Sequence, residues 1–183
     1  MHTSTSNRQQ LGALLSDLIE LEYDTQAAFE AAIDRLTGQA YKEQLRQFLA
    51  DQQRHILDLK AVAAPVCDAL PHGPDSRRIL TKGLLMLAHL AGDRAILHAL
   101  GGTLDAMNVA YERALTHDAV TPEALGVVQR HFLDERRHRD WLMRCLHPEE
   151  EQRLDESLDD DPAFFDLNGR PPVSFQSPKH PQP

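Results

Sequence analysis

The chain has 183 residues, of which 42% are hydrophobic, 26% charged and only 5% aromatic; that is the length and balance of one globular domain built from helices rich in Ala and Leu. Its formal charge of −9 sets 28 acids against 19 bases. Arg136, Arg137 and Arg139 are interleaved with Asp134, Glu135 and Asp140, so no basic face exists to meet a phosphate backbone, and nucleic acid is excluded as a partner.

The first ten residues are polar and lack the apolar core of a secretory signal. Cys67 and Cys145 have no metal-ligand spacing and suit a reducing compartment. The longest apolar run, residues 83–91, includes His89 and falls far short of the roughly 20 residues a membrane span requires. The expectation is a soluble, cytoplasmic protein without a membrane partner.

Over residues 8–37, Leu11, Leu15, Leu18, Phe29, Ala32 and Leu36 recur at helical spacing, and Gly38 ends the run. A second helix over residues 39–63 carries the stripe Tyr41, Leu45, Phe48, Leu59 and Val62, and Pro65 stops it. The tight connection makes the two an antiparallel hairpin. Residues 71–76 form a Pro- and Gly-rich loop in which Asp75 or Ser76 caps the next helix.

The helical pattern over residues 77–117 would span roughly 60 Å as one helix, too long beside its neighbours. A break at Gly92-Asp93 divides it into a short crossover helix, residues 77–90, and a bundle helix, residues 93–116. Thr121-Pro122-Glu123 then supplies an N-cap, a proline at the first helical position and an early acid for a helix running to Leu146. The predicted fold is all-α: a four-helix bundle of two helical hairpins joined by a long crossover containing a short helix. It occupies residues 1–148, and residues 149–183 form an acidic, proline-rich C-terminal tail, disordered or draped on the surface after about Asn168.

Sliding the sequence on itself by 83 residues places Asp51, Arg54 and His55 on Asp134, Arg137 and His138. The same offset places Glu22 on Asp105 and Ala28 on Tyr111, so one helix pair is read as a repeat of the other. The repeat gives order to the polar residues that interrupt the apolar stripes at mid-height. These are Glu22 and Thr25 on the first helix, Gln52 and His55 on the second, and His131, Glu135 and His138 on the fourth.

Burying an unpaired carboxylate or imidazole costs several kcal/mol, so such groups must satisfy one another, bind water or bind a metal. Glu135 and His138, three residues apart, turn toward one point, and imidazole with carboxylate suits iron, manganese or zinc. The second-helix copy, Gln52-Gln53-Arg54-His55, has an amide in place of the acid. Asp51 and Asp134 are read as salt-linked to neighbouring arginines in preference to substituting or supplementing as ligands, and His131, either a fifth ligand or a core histidine, is read by preference as the latter. On the third helix Asp105 lies at the edge of the stripe Leu97, Gly101, Leu104, Asn108, Tyr111 and Leu115. The candidate ligands are therefore Glu22, Gln52, His55, Asp105, Glu135 and His138.

At these residues the chain resembles the ferritin-like superfamily, which includes ferritin, bacterioferritin and rubrerythrin, over roughly residues 11–146. Residues 91–98 with 108–115, and residues 133–141, are more closely similar to small bacterial ferritin-like four-helix-bundle proteins whose role is unassigned. The superfamily pattern has a first-helix Glu followed seven residues on by an aromatic, matched by Glu22 and Phe29, and a fourth-helix Glu-x-x-His, matched by Glu135 and His138. Its second-helix Glu-x-x-His is matched only at His55, and its third-helix Glu, seven before Tyr111, is Leu104 here. The resemblance implies a di-metal carboxylate/histidine site of iron or manganese, with zinc a third candidate, degenerate where Gln52 and Leu104 replace acids. For an enzyme it implies oxygen or peroxide chemistry at iron. The alternative is a metal-free bundle acting as a homodimerising or partner-binding module, in which Glu135 pairs with Arg54 or a histidine. Iron storage in a shell of many copies is a third reading.

Overall fold

The computed structural model describes residues 2–73 and 92–148, with side chains from Ser6 onward. Among these residues there are four helices and no strand: α1 (His2–Arg35), α2 (Gln39–Ala63), α3 (Asp93–Leu115) and α4 (Pro122–Leu146). The expected crossover helix, residues 77–90, and the tail, residues 149–183, lie outside the described residues. The described residues up to Leu146 belong to one compact unit.

The hydrophobic stripes place the helix interiors as the spacing predicts, and α1 exceeds its expected start by six residues, beginning at His2 instead of Arg8. Adding a residue to a formed helix gains one hydrogen bond at little further cost, so polar residues propagate what the stripe nucleates. Arg8 fastens this stretch by donating from Nη2 to the Pro65 carbonyl at 2.8 Å.

The turn between α1 and α2 has no side-chain cap of its own. Asp93, the first residue of α3, serves instead, its carboxylate accepting from the Thr37 N–H at 2.7 Å and the Gly38 N–H at 2.8 Å. The Thr37 N–H bond chiefly, with Gly38 and the Thr37 hydroxyl, holds the Asp93 carboxyl below its usual value. Gly38 is needed for this close approach, since a Cβ there would lie 2.8 Å from the Tyr41 ring and 3.0 Å from Asp93 Oδ2. At Gly92 the backbone has φ 87°, a left-handed turn that glycine adopts without strain and that starts α3 where the sequence places its break. Thr121 Oγ1 accepts from the Ala124 N–H at 3.3 Å and caps α4 as expected.

Each helix packs against two others: α1 against α2 and α3, and α4 against α3 and α2. The core is in two parts. Leu11, Leu15, Leu18, Leu59, Met107, Tyr111 and Val128 fill one end. Phe29, Leu36, Phe48, Leu97, Leu100, Leu104 and Leu142 fill the other. Each such side chain contributes about 1.5–3 kcal/mol on burial, and these two apolar ends clamp a polar layer between them. No helix among the described residues is long and apolar enough to cross a membrane.

Candidate metal centre

The polar layer consists of Glu22 and Thr25 from α1, Gln52 and His55 from α2, and His131, Glu135 and His138 from α4, all fully buried. On α2 and α4 these positions are three, four or seven residues apart, which puts them on one helix face. Packing α2 beside α4 and α1 beside α2 then turns them toward one another. His55 Nδ1 lies 3.3 Å from Glu22 Oε1 and 3.4 Å from Glu135 Oε1. His138 Nδ1 lies 3.6 Å from the same Glu135 oxygen, to which Gln52 Nε2 donates at 2.5 Å. The Tyr111 hydroxyl of α3 donates to Glu22 Oε1.

A ladder of carboxylates across the α2–α4 interface holds the other nitrogen of each imidazole. His55 Nε2 meets Asp134 at 3.2 Å, His138 Nε2 meets Asp51 at 3.1 Å, and His131 Nε2 meets Asp58 at 3.2 Å. In every rung the histidine and the aspartate come from opposite helices. Arg54 bridges Asp51 at 2.7 Å and Asp134 at 2.8 Å, and Arg137 bridges the same pair at 2.8 and 2.7 Å. The expected Asp–Arg salt links are present, and the same aspartates also orient the histidines, a role that the separate helices do not reveal. A carboxylate on the outer nitrogen with the inner nitrogen turned to a shared interior is the arrangement that prepares a histidine to ligate metal.

The electrostatics follow from burial and proximity. Burial would lower the His55 imidazole, but Glu135 and Glu22 on its two sides raise it to about 10. Burial raises the Glu22 carboxyl to about 7 even with His55 beside it. Glu135 is held below its ordinary value because His138 and His55 outweigh its burial. Asp134, opposed by partial burial, is drawn to about 2 by Arg54 and His55. Burial, together with the charge on His55, lowers His131 to about 4. Burial and the neighbouring Glu22 and Glu135 carboxylates keep the Tyr111 phenol protonated well above its usual range.

A metal fits this donor set. Glu22 Oε2, Gln52 Oε1 and Glu135 Oε2 are buried without a hydrogen-bond partner, and His55 Nδ1 and His138 Nδ1 meet only carboxylate oxygens at 3.3–3.6 Å, outside hydrogen-bond geometry, although such groups are ordinarily satisfied. Five of the six sequence candidates, Glu22, Gln52, His55, Glu135 and His138, belong to the layer. Asp105 does not: it is exposed and gives nothing to the interior, its carboxylate being held by Arg139 at 2.5 Å. One residue is about 100° around a helix, so it is Leu104, buried at 1%, that faces inward. The alignment of Glu22 with Asp105 is corrected accordingly. Asn108 closes this side by donating to the carbonyls of Leu104 and Glu135 at 2.9 and 3.2 Å.

His131 is buried as a core histidine would be, yet it belongs to the polar layer, its ring stacked on His55 with centroids 4.0 Å apart. Its spacing of seven from His138, matched by the spacing of seven from Asp51 to Asp58, was the available signal. No known protein family, curated protein or solved structure matches the chain.

Proposed function

We propose that this chain is a ferritin-like metal-binding protein that holds one or two divalent transition ions, iron or manganese with zinc as a third candidate, in a degenerate di-metal site inside the bundle among Glu22, His55, Glu135 and His138. The observation that carries the reading is a buried cluster of inward carboxylate, amide and imidazole atoms that make no hydrogen bond, on imidazoles whose outer nitrogens are already tied to aspartates. Carboxylate and imidazole together suit these metals. In the ferritin-like arrangement the hairpins α1–α2 and α3–α4 are joined by a long crossover. Oxidative-stress or iron-related redox chemistry is the activity the resemblance suggests, while Gln52 and Leu104, standing where acids are usual, argue against a ferroxidase.

Protein purified without chelator is expected to carry near-stoichiometric metal by elemental analysis, and Glu135→Gln to lose it. Asp134→Asn, which keeps every inward donor but loosens the carboxylate that orients His55 and bridges Arg54 and Arg137, is expected to weaken binding of added Mn²⁺ by about 10- to 100-fold. Absence of metal from the purified wild type, with no uptake of any of the three ions, would reject the reading.

That negative result would instead favour the metal-free module, and one observation supports it: His55 lies between Glu22 and Glu135 as a charged imidazole between two acids. Two acids and an imidazolium largely neutralise one another. A dimer or other partner complex would then be the functional state, detectable by size-exclusion mass measurement.

A further inference from the structure

Resting on the metal reading above, we propose that the bundle holds a single transition ion, in the half of the polar layer beside Tyr111, and that His131 is one of its ligands together with Glu22 and His55. Glu135 is the fourth donor.

Donor atoms of Glu22, His55 and His131 lie within 4.8 Å of one another, and among the described residues no other three His, Cys, Asp or Glu side chains meet this closely. Donors on one ion with bonds of about 2.1 Å are separated by about 3.0 Å when adjacent and about 4.2 Å when opposite. Small side-chain rotations therefore close the trio on an ion, and Glu135, outside the trio but with Oε1 3.4 Å from His55 Nδ1, is assigned as the fourth donor by a rotation of its own.

The hydrogen bonding leaves His131 with a nitrogen to give. Asp58, a carboxylate, can only accept, so the imidazole proton is on Nε2 and the lone pair on Nδ1. That lone pair faces the Tyr111 hydroxyl oxygen at 3.3 Å, but the single phenolic proton is donated to Glu22. His131 is thus oriented as His55 and His138 are, an aspartate from α2 or α4 on the outer nitrogen and the other nitrogen turned within.

Positions 83 residues apart on α2 and α4 differ between the two halves of the layer. The position 83 residues before His131 is Phe48, which packs on His138 with centroids 4.0 Å apart just as His131 packs on His55. The position 83 residues after Asp58 is Trp141, whose ring meets Phe48 edge-on at 5.3 Å. Leu104, seven residues before Tyr111, has on α3 the place that Glu22, seven before Phe29, has on α1. One half has an imidazole and its orienting carboxylate where the other has Phe48 and Trp141, and that other half has Leu104 where the first has an acid. Glu22 and Glu135 neutralise one divalent ion and leave no charge for a second.

The test is titration of the chelator-treated full chain with Co²⁺, followed by its visible absorption and by heat. Wild type is expected to saturate at one ion per chain. His131→Phe, which puts into α4 the residue the repeat has in α2, is expected to weaken binding by at least about 100-fold, beyond the loss typical of an outer-shell change, and to alter the spectrum. Asp58→Asn, at a side chain 39% exposed, is expected to weaken it about tenfold and serves if His131→Phe fails to fold, as thermal melts of the metal-free proteins will show. Uptake of two ions, a folded His131→Phe that binds like wild type, or, where that variant does not fold, an Asp58→Asn that binds like wild type would overturn the single-ion assignment while leaving metal binding intact. Failure of wild type to bind Co²⁺ would overturn both.

Discussion

Replacing Glu135 by alanine in the metal-free protein is expected to cost about 3–5 kcal/mol of folding stability, the range for removing one partner of a buried ion pair. Glu135 is fully buried and sits 3.4 Å from the His55 and 3.6 Å from the His138 Nδ1 atoms while accepting from Gln52 at 2.5 Å. Its loss strands two imidazoles and an amide in a layer closed at both ends by hydrocarbon. His55 then keeps Glu22 on Nδ1 and Asp134 on Nε2 but loses one of its three acids, so its proton is held less tightly and the desolvation penalty is less fully offset. Urea unfolding with chelator present measures the effect, with Leu133→Ala, at a residue 66% exposed, as a surface control expected within about 0.5 kcal/mol of wild type. A cost for Glu135→Ala no greater than that of the control would mean that the carboxylate does not carry the charge balance of the interior.

The metal-free protein is also expected to lose stability as pH rises from 6.5 to about 10, opposite to the usual behaviour of a chain whose acids are salt-linked. His55 is raised from 6.5 to about 10, so its contribution is complete below 6.5 and is lost through about 10. Glu22, raised from 4.5 to about 7, acts in the same direction between those values. His131, lowered from 6.5 to about 4, acts in the opposite direction, gaining stability as pH rises over that window, so it and Glu22 largely offset each other below 6.5. Above 6.5 the His55 contribution dominates, with a slope of at most about 1.4 kcal/mol per pH unit for one proton. Asp134, lowered from 3.8 to about 2, contributes stability that disappears only in strong acid. Urea midpoints at pH 6.5, 8 and 9.5 should therefore fall in that order. If metal binds, it must displace the His55 proton, so affinity for Mn²⁺ should rise over the same interval. Flat or rising midpoints in metal-free protein would show that His55 is not held as an imidazolium.

Much of this molecule is decided within single helices. Apolar residues at every third or fourth position, Gly38, the Gly92-Asp93 break and Thr121-Pro122 determine where helices run, because helix formation and capping depend on neighbours a few residues away. Polar residues at mid-height, Glu22, Gln52, His55, Glu135 and His138, are legible for the same reason: they break a periodic pattern in cis.

Tertiary structure decided the rest. Whether Leu104 or Asp105 faces inward turns on a 100° step that a broad α3 stripe leaves undetermined until α1 and α4 pack against it. That Asp51, Asp58 and Asp134 each orient a histidine on the facing helix depends on the register of α2 against α4, segments about 80 residues apart with no shared local signal. His131 illustrates the difference. Its periodicity places it on the buried face, but only the approach of His55 and Asp58 on α2 and Tyr111 on α3 makes a buried histidine part of the polar layer, because the partners that fix a side chain's proton and orientation are set by packing and not by sequence spacing.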